Sequence, residues 1–234
     1  MINYDFRGRL QYIPGGALNV QMSAWPAAGA NWWEPSTGSY TVVAAYQAKG
    51  AASLAASYVN LANPGTYDAA PGTAPAFDTS TGWTFNGTTN NRYLTTGIIP
   101  NSSYTVLIRF SNVTTAGALI GTSSGEFGEA PLYVLRQETA NRNWYNNGDY
   151  YQSSTWSSGV MCAAGKTAYK DGTSQGTISG GSNTYSYQFT IGARNMINLG
   201  RDQYFGGDIQ AVAIYSTTLD ATQVAEITTN MAAL

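Results

Sequence analysis

Apolar and polar residues alternate with period two in many short runs along this chain, and glycine, proline or asparagine separates the runs. The clearest run is 103–110, where Tyr104, Val106, Ile108 and Phe110 share one face and Thr105, Leu107 and Arg109 the other. It predicts a strand with a core-facing side. Residues 40–46, 83–85, 93–94, 118–120, 132–136, 143–146, 159–163 and 188–192 predict further strands. Asp171-Gly172, between the runs 166–170 and 173–178, predicts a hairpin because both residues tolerate the backbone of a primed two-residue turn.

Toward the C-terminus the period changes. In 204–215, Ile209, Ala211, Ala213 and Tyr215 alternate with Gln210, Val212 and Ile214, so both faces are apolar and the strand is expected to be covered in part on each side. Asp220 and Gln223 then have the spacing of a capping box, and Val224, Ile227 and Met231 that of the buried stripe of a short helix. Leu54, Tyr58 and Leu61 predict one more short helix or pair of turns within 51–61. Many short strands without repeated crossover helices predict an all-β fold, an antiparallel β-sandwich jelly roll, over a parallel α/β fold.

Residues 1–39 break this pattern. Gly15, Gly16, Pro26, Gly29 and Pro35 interrupt short apolar pieces, which predicts an irregular N-terminal arm ahead of a jelly-roll domain over 40–234. Trp25, Trp32 and Trp33 crowd this arm and need cover, either from the sandwich itself or from a neighbouring subunit or scaffold. On the second reading these three form an assembly interface.

Composition narrows the chemistry. Lys and Arg number 11 against 13 Asp and Glu, for a net charge of -2, and no basic run occurs, which argues against a nucleic-acid partner. The absence of histidine excludes Ser-His-Asp and Cys-His nucleophile systems and His-based zinc sites. Cys162, the single cysteine, has no internal disulfide partner, and its neighbours Val160 and Met161 read it as a buried strand thiol. No apolar run reaches transmembrane length, and residues 1–10 lack the apolar core of a signal peptide.

Glycan recognition asks for an aromatic platform beside amides and carboxylates, and the segment 141–152, read as a loop, has that mixture. Trp144, Tyr145, Asn146, Asn147, Asp149 and Tyr151 are its candidate ligand contacts, with Arg142 as a charged neighbour. The alternative assigns Trp144 to the core and Tyr150 and Tyr151 to loop packing, with Trp156 in the core or at the rim. Glycoside hydrolysis asks for two carboxylates aimed at one bond. Glu126 and Glu129 are the pair to nominate, but a glycine-rich loop need not aim both at one point, so no enzymatic activity is expected.

The order of segments resembles the laminin-G-like, concanavalin-A-like jelly roll. The matching pieces are Trp83-Thr84-Phe85-Asn86-Gly87 with Tyr93-Leu94, the strand 104–110, Ala118-Leu119-Ile120-Gly121, and the hairpin Tyr169-Lys170-Asp171-Gly172. Phe189-Thr190-Ile191-Gly192, the run 205–215 and the tail 219–227 complete the match, which covers 40–234. The resemblance implies two curved antiparallel sheets with glycan or protein recognition at the concave face or rim loops. It also leaves calcium open, with Asp208 as the first oxygen donor and Asp202 and Asp78 beside it. Residues 45–50 and 57–65 are further similar to copies attached to phage or other virion structural proteins. That similarity implies a virion or extracellular surface, and a non-enzymatic structural or adhesion module that addresses surface glycans. A carbohydrate-binding module acting alone and a glycosidase are the other readings.

Overall fold

The alternating runs pair into antiparallel ladders, and the computed structural model describes residues 2–4, 10–12, 31–87, 91–123, 131–138, 141–146, 149–179, 186–196 and 200–234. The chain forms two units, Met1–Ala30 and Asn31–Leu234. In the first, β1 (Ile2–Tyr4) pairs with β2 (Leu10–Tyr12), a strand pair where the sequence predicts only an irregular arm. The second begins at Asn31, ahead of the predicted start at 40, so that Trp32 and Trp33 belong to it.

Along the second unit come β3 (Val42–Gln47), α1 (Leu54–Ser57), β4 (Ala70–Thr73), β5 (Ala76–Asp78), β6 (Gly82–Asn86), β7 (Tyr93–Thr95), β8 (Thr105–Thr115) and β9 (Gly117–Ser123). Then follow β10 (Pro131–Gln137), β11 (Asn141–Asn146), β12 (Asp149–Ser154), β13 (Gly159–Ala164), β14 (Thr167–Lys170), β15 (Thr173–Thr177) and β16 (Thr190–Ile191). The last elements are β17 (Arg194–Met196), β18 (Gly200–Asp202), β19 (Gly206–Tyr215) and α2 (Ala221–Ala233). One sheet runs β15-β14-β13-β8-β19-β6-β5, with β3 also paired to β19. The other runs β12-β11-β10-β9-β16-β7-β4, with β17 parallel to β9 and β18 beyond it. The result is the expected β-sandwich.

Alternation along β8 sets the layers. Val106, Ile108 and Phe110 point between the sheets, where they meet Trp83, Phe85, Tyr133, Leu135 and Ile191. Leu107 points the other way and packs with Val160 and Cys162 against Val224, Ile227 and Met231 of α2. The central sheet is thus covered by the second sheet on one face and by α2 on the other, and each such aliphatic or aromatic side chain stabilises by about 1.5–3 kcal/mol. Burial pushes the Cys162 thiol well above its usual range, which makes it a packing residue rather than a nucleophile.

Among several register shifts, one changes which face a core residue takes. Ile209 opposes Phe110 while Ala211 opposes Arg109, so Gln210 is the extra residue of a β-bulge. The bulge sends Ile209 to the inter-sheet core with Val212 and Ile214, and leaves Ala211, Ala213 and Tyr215 on the helix side. Alternation alone had grouped Ile209 with Ala211.

The helix α2 carries the predicted capping box, with Asp220 Oδ1 accepting from Gln223 N at 2.9 Å and Gln223 Oε1 accepting from Asp220 N at 3.0 Å. The far end is tied down as well, since Arg109 Nη1 donates to Met231 O at 2.5 Å. Residues 31–41 lie over the same face. Trp33 is buried, and its carbonyl accepts from Tyr215 Oη at 2.6 Å; Gln223 Nε2 donates to Thr37 O at 3.0 Å. Trp32 stands edge-on to Trp33, ring centroids 5.4 Å apart. Their own chain thus covers Trp33 fully and Trp32 in part, the first of the two kinds of cover that the sequence left open; Trp25 lies outside the described residues.

Two buried tyrosines give a pH signature. Burial raises the hydroxyls of Tyr46 and Tyr215 far above the ordinary 10.0, with the charges of Asp68 and Cys162, respectively, adding to it. Both stay protonated in the fold while the unfolded chain ionises near pH 10, so their contribution is complete below that pH and is lost as pH rises. We expect the thermal midpoint to fall above pH 10, at about 1.4 kcal/mol per pH unit for each such tyrosine. Tyr215→Phe should flatten the fall; an unchanged slope would count against the assignment.

Candidate functional site

The strand expected at 143–146 is present, and the segment 141–152 around it, read as a loop, carries more strand than that. It is the strand pair β11–β12, added to β10 at the edge of the second sheet, with Trp144 opposite Leu135 on one side and Tyr151 on the other. Alternation then divides its residues between two faces. Arg142, Trp144 and Asn146 point inward from β11, and Tyr151 from β12. Asn143 and Tyr145 of β11 point outward, as do Tyr150 and Gln152 of β12 and Arg136 of β10, which sit across from them.

The inward set is structural. Trp144 has no exposed surface and stacks on Trp156, centroids 5.6 Å apart and planes 28° apart, with Tyr151 at 5.7 Å. Tyr151 also lies over Gly176, where a Cβ would come within 2.4 Å of its ring, so glycine is what lets β12 approach β15. Asn146 is buried and donates to Ser102 O at 3.0 Å and to Gly165 O, tying the hairpin to two connections. Arg142 spends its donors on Trp156 O, Glu138 O and Asn141 O; burial brings it down to about 10, so it keeps its charge at neutral pH. Trp144, Asn146 and Tyr151 are thus withdrawn from a solvent-facing platform. Asn147 lies outside the described residues, and Asp149 is placed only by its backbone, opposite Asn146.

The outward set has the chemistry sought. Tyr145 and Tyr150 pair with ring centroids 5.4 Å apart and planes tilted by 37°. Tyr150 is 51% exposed and Gln152 is exposed beside it. Gln152 Nε2 donates to Asn143 Oδ1 at 3.1 Å, and Asn143 Nδ2 donates to the Tyr145 hydroxyl at 3.2 Å. Along the third strand, Arg136 Nη1 meets Glu138 Oε1 at 3.0 Å, while Arg136 Nε is buried and has no hydrogen-bond partner. Burial raises the Tyr145 hydroxyl, Arg136 works against that shift, and Glu138 adds to it. The face therefore offers two aromatic rings for an apolar surface, the exposed Gln152 amide for hydroxyls with the buried Asn143 amide holding it in place, and an arginine–glutamate pair at its border.

Sequence reasoning named Tyr145 but missed Tyr150, Asn143, Gln152 and Arg136 as its companions. Asn147-Gly148 was the missed signal, because Asn-Gly between alternating runs marks a hairpin whose two strands expose the same parity of residues.

The acidic candidates do not converge. Among the described residues no three Asp, Glu, Cys or His groups come together to hold a metal. Asp78 is exposed and accepts from Ser80 N at 2.8 Å and from Ser80 Oγ at 2.5 Å, bonds that lower its carboxyl below the usual range. Asp202 grips Arg194 through both oxygens, at 2.8 and 2.5 Å. Asp208 is buried and accepts from Thr84 Oγ1 at 2.7 Å and Asn112 Nδ2 at 2.6 Å, which ties β19 to β6 and β8. Calcium wants six to eight converging oxygens, and these three carboxylates, each already committed, do not fit it. Glu126 and Glu129 lie outside the described residues. Among the described residues no helix is long and apolar enough to cross a membrane.

No family model and no curated protein matches the sequence. Solved structures do. A mutant of Trypanosoma rangeli sialidase displaying trans-sialidase activity is similar at TM-score 0.55 and 16% identity, over 82% of this chain and 33% of that one. Trypanosoma rangeli sialidase in complex with sialic acid is similar at TM-score 0.53 and 15% identity, over 82% and 33%. NanB with Optactamide reaches a TM-score of only 0.43 at 15% identity, over 61% of this chain and 26% of that one. The chain spans about a third of the length of the Trypanosoma sialidase. These neighbours correct the expectation of no enzymatic activity, since the fold is one that sialidases, which are enzymes, also have. At such low identity what is shared is the fold, an all-β sandwich of two antiparallel sheets.

Proposed function

We propose that this chain recognises glycans through the outward face of β11–β12, as a module of carbohydrate-processing machinery of the sialidase kind. The observation that carries the reading is the exposed Tyr150 paired with the half-buried Tyr145, beside the exposed Gln152 amide that Asn143 holds in place. The lectin-type sandwich beneath it, similar to part of a sialidase bound to sialic acid, supports the same class of ligand. In mechanism, the apolar face of a sugar ring stacks on the tyrosines, Gln152 addresses hydroxyls, and the rigid sheet keeps the ordering cost low.

An array of neutral and sialylated glycans tests this. The wild-type chain should bind a subset, and Tyr150→Ala should weaken that binding by about tenfold, near the value of one aromatic contact. Its thermal midpoint should barely move, since an exposed residue costs within about 0.5 kcal/mol. Binding to no glycan, or binding indifferent to both Tyr145→Ala and Tyr150→Ala, would sink the reading. Display on a virion or other extracellular assembly rests on the sequence resemblance of 45–50 and 57–65; finding the chain in purified native particles by mass spectrometry tests it.

A further inference from the structure

A cleft of about 540 Å³ lies on the opposite side of the sandwich from the hairpin face, between the last turns of α2 and the sheet beneath it. Arg109, Ser111, Asp171, Gln210 and Thr228 are among the residues that line it. We propose that this cleft binds a sugar of monosaccharide size that carries one carboxylate.

Three observations converge. Arg109 is half-buried, yet the ion pairs among the described residues are Arg136–Glu138 and Arg194–Asp202, so no described carboxylate pairs with it. Among the described residues it makes one hydrogen bond, to Met231 O, which leaves further donors of the guanidinium fork for an incoming carboxylate. Burial also lowers the Arg109 pKa, as it does for a cation lacking a counter-charge. Second, Thr228 is buried and its Oγ1 has no hydrogen-bond partner, a cost of about 1–3 kcal/mol that a ligand group would relieve. Third, the β-bulge falls at Gln210, whose amide nitrogen makes only a long 3.4 Å contact with Ser111 Oγ.

Asp171 defines the rest of the ligand. Its Oδ1 already accepts from Val160 N at 2.8 Å, and its exposed carboxylate accepts hydroxyl donors while repelling a second anion. A single carboxylate with several hydroxyls, as in a uronic acid, matches that distribution.

Amide-resolved NMR titrations of the full chain with sodium glucuronate, D-glucose and sodium acetate test the proposal. Glucuronate should shift Gln210, Thr228 and Asp171 saturably, with glucose and acetate about tenfold weaker or worse. Thr228→Val keeps the shape, should fold at least as stably, and should weaken glucuronate by about fivefold. Arg109→Gln should abolish it, and if that variant does not fold, Thr228→Val decides. Tyr150→Ala should leave these shifts unchanged, which separates this site from the hairpin face. Equal response to all three probes, no response to glucuronate, or full binding by folded Arg109→Gln or by Thr228→Val would overturn the proposal.

Discussion

Trp144→Ala is expected to destabilise the protein by about 3–5 kcal/mol, the range for removing a large aromatic from a packed core. The indole has no exposed surface and lies between Trp156 and Tyr151, so its loss opens a cavity at the point where the hairpin joins the sandwich. Its Nε1 has no hydrogen-bond partner, so the cost is one of packing, and Trp144→Phe should recover part of it. Urea unfolding measures both. A Trp144→Ala variant that kept wild-type stability while losing glycan binding would mean that the tryptophan faces a ligand and that the inward assignment is wrong.

Asn60→Leu should cost about 4 kcal/mol or more, because several backbone groups would be left unpaired at about 1–3 kcal/mol each. The side chain is fully buried and uses its whole hydrogen-bonding capacity. Oδ1 accepts from Ala45 N at 3.0 Å and Ala62 N at 3.1 Å, while Nδ2 donates to Val43 O at 3.0 Å and Thr66 O at 2.8 Å. It therefore fastens the 57–65 connection to β3, and Ser57 works beside it by accepting from Trp83 Nε1 at 2.7 Å. A loss below about 1 kcal/mol in thermal unfolding would mean that water replaces these bonds and that the connection is not fastened there.

The sandwich was legible because its core strands obey simple rules. Val106, Ile108 and Phe110 alternate cleanly, Asp171 and Gly172 supply the two left-handed backbones of a hairpin at φ 47° and 77°, and Asp220 with Gln223 closes a capping box. Failures came where one residue changes parity or where polar strands hide their period. The bulge at Gln210 reverses the face of Ile209, and nothing in the local alternation announces it. The strand read at 143–146 is β11, but its partner β12 reads as part of a loop because Asn147, Gly148 and Gln152 look like turn residues, so the parity of the pair is hidden. The chemistry of the candidate site was thus visible as composition, but which side chains face solvent depends on strand parity. Trp32 and Trp33 show the same limit, since their apolar bulk called for cover without saying that α2 and Tyr215 provide it.

The central claim is that the outward face of β11–β12 holds glycans. Side-chain NMR of the tyrosines, recorded while lactose and sialyllactose are titrated separately into the full chain, tests it most directly. The prediction is saturable shifts of the Tyr145 and Tyr150 ring signals and of the Gln152 amide by at least one of the two sugars, with the Trp144 indole little affected. Saturable binding that shifts the Trp144 indole or other surfaces and leaves both tyrosine rings untouched would contradict it.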